Sequence, residues 1–224
     1  MKDCFGLHGH SAFGSVAKRQ IGVGQQSLLS QVQLTDLVHW LQAGKTVDIL
    51  HCAAESTDLL PPSALLRGLG LDAELLVPEE DDISLAERCR RVNAWCRAHG
   101  KEDAICVSIH FNAFGNGSVW TSPSGWSIYT SVGNTAADKL ADCIANAAAV
   151  HLSSMKLRGE WSDGDIDYEE GFYLLRHTLC PCVLTENGFM TNEQECRWLQ
   201  TESALEALAQ THVEGIVGYL YDNK

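Results

Sequence analysis

Two uninterrupted apolar runs, each ending in an ionisable residue, constrain this chain more than any other feature. Residues 103–110 read Asp-Ala-Ile-Cys-Val-Ser-Ile-His, and residues 181–186 read Pro-Cys-Val-Leu-Thr-Glu. A strand with one wet face alternates apolar and polar residues, whereas a strand buried on both faces does not. Both runs are therefore expected as interior strands of a sheet. His110 and Glu186 then stand at the carboxyl ends, where open α/β sheets gather their ligands. There a histidine suits metal ligation and a glutamate suits proton transfer. A hydrogen-bonded structural histidine and a helix-capping glutamate form the other reading that spacing alone leaves open.

The segments around these runs fit the same architecture. Ser63–Leu69 reads as the end of a helix stopped by Gly70, and Ala73–Val77 as a strand. Ser84 is expected to cap a helix to about His99, with Glu87 completing a capping box and Gly100 closing it. Its apolar stripe is Leu85, Cys89, Val92, Trp95 and Cys96. Ser127–Ser131 and Phe172–Leu175 read as strands. Helices are expected over Thr135–Leu152, Asn192–Leu199 and Ser203–Tyr221. Strands alternating with helices predict an α/β three-layer sandwich, a mostly parallel central sheet flanked by helices on both faces.

The chain changes character near Pro61-Pro62, before which fall six of its nine glutamines. Only a short helix (Gln33–Leu41) and a short strand (Thr46–Leu50) stand out there. The expected organisation is an atypical N-terminal segment over 1–62 and a catalytic domain over 63–224.

Composition removes several classes. A net charge of −13 disfavours a nucleic-acid partner, which needs clustered Lys and Arg. No apolar run is long enough for a membrane span, and the N-terminus does not read as a signal peptide. The nine cysteines are irregularly spaced, a poor disulfide framework; Cys89, Cys96, Cys106 and Cys143 read as small core residues.

Ser108-Ile109-His110-Phe111-Asn112 resembles the Ser-Ile-His-x-Asn motif of zinc-dependent N-acetylmuramoyl-L-alanine amidases. Leu184-Thr185-Glu186-Asn187-Gly188-Phe189, followed by Asn192, resembles that family's second motif. The segments Ile83–Arg88 with Asn93, Leu174–Thr178 and His212–Ile216 resemble the stretches around them, so the likeness runs from about Ala64 to Leu220. Its flavour is that of phage or prophage lysins, which implies a protein made in the cytoplasm and acting on the cell wall.

The resemblance implies zinc held by two histidines and one glutamate, with water in the open position. His110 matches the second histidine ligand and Glu186 the catalytic acid/base. The nearest matches for the other ligands are His10 in Gly9-His10-Ser11 and Glu55, with His8 and His51 weaker. Asn112 and Asn187 are the expected substrate contacts. The implied substrate is peptidoglycan, both glycan strand and stem peptide, cut between N-acetylmuramic acid and L-alanine. Trp120, Trp126, Trp161 and Tyr168 either line its groove or pack the loops. Because the first motif is degenerate, the alternative is an inactive or metal-free relative: a wall-binding module or prophage remnant.

Overall fold

The computed structural model describes residues 62–79, 83–101, 104–162 and 164–222, together with the backbone of 48–53. The expected helix at Gln33–Leu41, the candidates His8, His10 and Glu55, and the side chain of His51 lie outside these residues.

The described chain forms six strands and six helices. In order they are β1 (Asp48–Ala53), α1 (Pro62–Gly68), β2 (Asp72–Leu75), α2 (Leu85–His99), β3 (Ala104–Asn112), β4 (Trp126–Thr130), α3 (Ala136–His151), β5 (Tyr168–Glu169), α4 (Tyr173–His177), β6 (Cys182–Phe189), α5 (Glu193–Leu199) and α6 (Glu202–Asp222). One sheet runs in the order β2-β1-β3-β6-β4-β5. Strands β2, β1, β3 and β6 are mutually parallel; β4 is antiparallel to β6, and β5 parallels β4. The two apolar runs are thus adjacent central strands, as their composition requires.

Strand β1 pairs with both β2 and β3. Residues 48–53 therefore belong to the same sheet as the strands after residue 62, and the expected boundary at 62 does not separate two sheets.

Alternation along the strands sends side chains into two cores. On one face Ile105, Val107, Ile128 and Val183 pack with Leu66 of α1, Leu140 and Ile144 of α3, and Ile216 of α6. On the other, Cys106, Cys182 and Leu184 meet Cys89, Val92 and Cys96 of α2 and Leu174 and Leu175 of α4. Cysteines 89, 96, 106, 180, 182 and 196 are buried free thiols, and Cys143 is half-buried.

Local chemistry sets the helix ends. Thr135 and Asp138 form a full capping box at α3, the Asp138 carboxylate accepting from the Thr135 N–H at 2.7 Å. At α2 only half of the expected box is made. Ser84 accepts from the Glu87 N–H at 3.2 Å, but the Glu87 carboxylate turns to Arg90 and Arg91 instead. Leu85, in the first turn, is 52% exposed and lies outside the buried stripe of α2. Gly70 and Gly100 close their helices at φ 84° and 103°, a region that glycine reaches without a Cβ clash.

The expected strand at Phe172–Leu175 is instead the single-turn helix α4, ended by the Thr178 N–H donating to Leu174 O at 3.3 Å. So short an apolar run has no periodicity to tell strand from helix. Here the turn buries Leu174 and Leu175 together against β6 and α2.

Helices α3 and α6 cross closely at Gly215. A Cβ there would stand 2.5 Å from the Cα and 2.9 Å from the N of Ile144, both backbone atoms. Gly215→Ala is therefore expected to overpack the crossing by about 1–3 kcal/mol, outweighing the ~1 kcal/mol gain in helix propensity. Thermal unfolding should show a midpoint several degrees lower; an unchanged or raised midpoint would contradict this packing.

Candidate functional site

The register of the sheet brings the two motif residues together. His110 on β3 is the direct partner of Glu186 on β6, and Ser127 on β4 is the partner of Glu186 on its other side. Neighbouring strands lie about 4.8 Å apart, so the three side chains form one row across the carboxyl end of the parallel strands. Ser108 and Leu184 lie two residues back on the same face. The Ser108 hydroxyl hydrogen-bonds His110 Nε2 at 2.9 Å.

Burial prepares both groups for chemistry. Glu186 is half-buried, and its Oε2 is enclosed by protein with no hydrogen-bond partner. Burial alone raises its carboxyl from the ordinary 4.5 to about 7, a value suited to taking and returning a proton near neutral pH. His110 is exposed, though its imidazole is partly desolvated. Desolvation, and then the Arg88 charge, lower its pKa and favour the neutral ring that a metal needs. On β4 the Tyr129 phenol is pushed up, chiefly by burial, with the Glu186 charge adding to it.

Beyond Glu186 the ladder slips. His110 pairs with Glu186, but Asn112 pairs with Phe189, so β6 spends one residue more than β3. This is a β-bulge, a device that re-aims side chains beside sites. Gly188 sits in it at φ +89°; an added Cβ would lie 3.0 Å from Met155 Cε and 3.4 Å from Glu195 Oε2. The Glu195 carboxylate holds the far side of the bulge, accepting from the Phe189 N–H and the Gly125 N–H, each at 2.7 Å. Asn192 caps α5 and orients Glu195.

The other candidates divide. Asn187, expected to touch substrate, is fully buried on the opposite face of the sheet. Its amide donates to His110 O at 3.0 Å and accepts from Trp126 Nε1 at 2.9 Å. One step along a strand reverses the face, so Asn187 supports the site from behind. Asn112 is half-buried at the end of β3 and turns the chain, its Oδ1 accepting from the Ala113 N–H at 2.8 Å. Trp126 is fully buried and lines no groove; Trp120 and Trp161 are exposed, at 37% and 66%. Among the described residues no cluster of three His, Cys, Asp or Glu side chains stands ready for a metal.

Two contributors escaped the sequence reading, though each left a signal. Ser108 is a polar break in an apolar run, two residues before His110 and therefore on its face. Glu195 follows the N-cap Asn192 by three residues, the spacing at which a carboxylate turns back toward backbone N–H groups.

Comparison with known proteins agrees with the fold and motifs. The model of a family described as N-acetylmuramoyl-L-alanine amidase matches residues 63–217. An endolysin of Bacillus phage SPP1 is 32% identical over 143 residues, 61% of this chain and 45% of its own. The N-acetylmuramoyl-L-alanine amidase CwlM of Bacillus licheniformis is 25% identical over 137 residues, 61% of this chain and 46% of its own. The chain thus spans about half the length of the curated relatives it matches. Among solved structures, an N-acetylmuramoyl-L-alanine amidase from Clostridium difficile 630 superposes with a TM-score of 0.61 at 22% identity, covering 80% of this chain and 100% of that one. At that identity the likeness concerns the fold.

Proposed function

The chain belongs to the N-acetylmuramoyl-L-alanine amidase family, and from that premise we propose that it hydrolyses the amide joining the lactyl group of N-acetylmuramic acid to L-alanine in peptidoglycan. The observation that carries this reading is the His110–Glu186 pair, with its enclosed, unpartnered carboxylate oxygen at the carboxyl edge of the sheet. A buried carboxylate oxygen without a partner is costly to keep.

The donor set fits zinc in part. His110 offers a neutral imidazole, and Glu186 is placed to serve the water rather than the metal. Catalytic zinc usually takes three protein ligands, so two more are required. In this reading they are Glu55 and His10. Strand β1 ends at Ala53, level with Ile109. Ile109 adjoins His110 in β3, and Glu55 follows Ala53 by two residues in sequence, which supports its assignment. Bound zinc would supply positive charge that acidifies water and polarises the scissile carbonyl.

The proton work falls to Glu186. Its carboxylate takes a proton from the attacking water as the new C–O bond forms. It then delivers that proton to the alanine nitrogen as the C–N bond breaks, leaving a lactyl carboxylate and a free amino terminus. Ser108 orients the His110 ring through its hydrogen bond. The β3–β4 loop carries Phe114, Val119 and Trp120 outward on the same edge of the sheet, anchored where Phe114 and Thr121 donate to Thr191. In this reading these side chains pack against the glycan strand and stem peptide, with Asn112 at the turn. The catalytic unit comprises residues 63–224 with strand β1, preceded by an N-terminal segment, and its place of action is the cell wall. No helix among the described residues is long and apolar enough to cross a membrane.

Purified cell walls incubated with the chain and zinc are expected to lose turbidity. A chelator should stop the loss and added zinc restore it. Clearing that continues unchanged in chelator would contradict the metal's role.

A further inference from the structure

We propose that Asn187 is a positioning residue for the reaction, held in one orientation by a buried relay through Thr185, His212 and Trp126 and setting His110 against Glu186. The inference rests on the reading of those two residues as the reacting pair.

The relay runs behind the sheet, on the face away from the site. Asn187, Thr185 and Trp126 are fully buried, and His212 of α6 is 1% exposed. His212 Nδ1 lies 2.7 Å from Leu208 O, and its Nε2 lies 2.9 Å from Thr185 Oγ1. Asn187 Nδ2 lies 3.0 Å from Thr185 Oγ1 and 3.0 Å from His110 O. Asn187 Oδ1 receives the Trp126 indole N–H.

Donor and acceptor rules leave this relay one arrangement. A carbonyl only accepts, so His212 Nδ1 carries the hydrogen. Burial pushes the His212 pKa down to about 4, so the ring is neutral at working pH and its Nε2 accepts. The Thr185 hydroxyl must then donate to His212, which leaves its lone pairs to receive the Asn187 amide. At the far end the indole N–H only donates, so it must face Asn187 Oδ1. Both ends therefore forbid the flipped amide. The remaining Asn187 N–H is aimed at His110 O, at the bulge where the β3–β6 ladder is interrupted.

The placement explains why polar side chains stand where apolar ones would pack. Thr185 and Asn187 flank Glu186 in sequence and point away from it, so the relay fixes the backbone on both sides of the proton carrier. Valine and leucine of similar shape would fill the same space without needing partners. They would not supply a donor to His110 O.

The test compares two variants of the full chain. Asn187→Leu removes the donor to His110 O. Thr185→Val/His212→Leu replaces the far half of the relay with an apolar pair, leaving one Asn187 N–H without its hydroxyl acceptor. Three quantities are read: the thermal midpoint, kcat and KM on a soluble muropeptide with zinc, and the His110 ring Hε1 resonance of the metal-free protein. Loss of an outer-shell partner typically costs about 10–100-fold. At a temperature where each variant is folded, Asn187→Leu is expected to lower kcat by at least ~10-fold with KM within about twofold. The double variant should lose no more than a few degrees of midpoint, the cost of that one unpaired N–H, and still lose kcat several-fold. In both the His110 resonance should shift or split. Parental kcat and an unmoved His110 resonance in folded Asn187→Leu would overturn the inference, as would parental kcat in the double variant. A parent chain inactive on muropeptide would instead overturn the proposed function, and the His110 resonance would still decide this inference.

Discussion

Glu186→Gln is expected to lower kcat by about 10²–10⁴-fold, the usual worth of a general acid/base, while leaving the fold as stable as its parent or more so. Glutamine keeps the shape and one of the two oxygens, puts an NH2 donor in place of the other, and can neither take nor return a proton. The stability half follows from burial. The Glu186 carboxyl ionises at about 7 in the folded chain against an ordinary 4.5. Between those values the folded state holds a proton that the unfolded state has released, so stability falls as pH rises. Above about 7 the folded chain carries the whole cost of the buried charge. Glutamine has no such cost. In chelator, the thermal midpoint of Glu186→Gln should match the parent near pH 4.5, pull ahead of it up to about pH 7, and hold that lead. Equal activity in the two proteins, or a midpoint gap that does not change with pH, would remove Glu186 from the assigned role.

His110→Ala is expected to strip the metal. In the proposed site His110 is one of three protein ligands, and losing one leaves too few for tight catalytic zinc. Elemental analysis of the parent should give about one zinc per chain and of the variant nearly none, with wall hydrolysis lost alongside. The side chain is open to solvent at the end of β3, so removing it opens no cavity in either core. Far-ultraviolet circular dichroism should therefore match the parent. Stoichiometric zinc retained by His110→Ala would place the metal elsewhere and dissolve the pair on which the proposed chemistry rests.

Much of this was legible in the order of residues. The runs ending in His110 and Glu186 announced interior strands because they lack alternation, and the sheet pairs them side by side. Thr135, Asn192 and Gly100 marked helix ends through chemistry that acts locally. Where the outcome depended on distant partners, the sequence was silent or misleading. The run at Phe172–Leu175 became a helical turn because α2 and β6 offered a pocket for two adjacent leucines. Asn187 stood beside Glu186 in the chain and so invited a substrate role, yet the pleat turned it to the opposite face. The bulge at Gly188 was foreshadowed only by a glycine inside a strand. What it achieves depends on Glu195, Trp126 and His212, which are distant in sequence or on other elements. The ligand candidates before residue 62 lack the local pattern of strand and helix that made the rest readable.

Product analysis of digested peptidoglycan tests most directly which bond is cut. Purified, glycosidase-free walls treated with the chain and zinc should yield free L-alanine amino termini and stem peptides freed from intact glycan, seen by mass spectrometry, with no new reducing sugar ends. New reducing ends, stem peptides cut internally, or walls left intact by zinc-loaded protein would contradict cleavage of the lactyl amide.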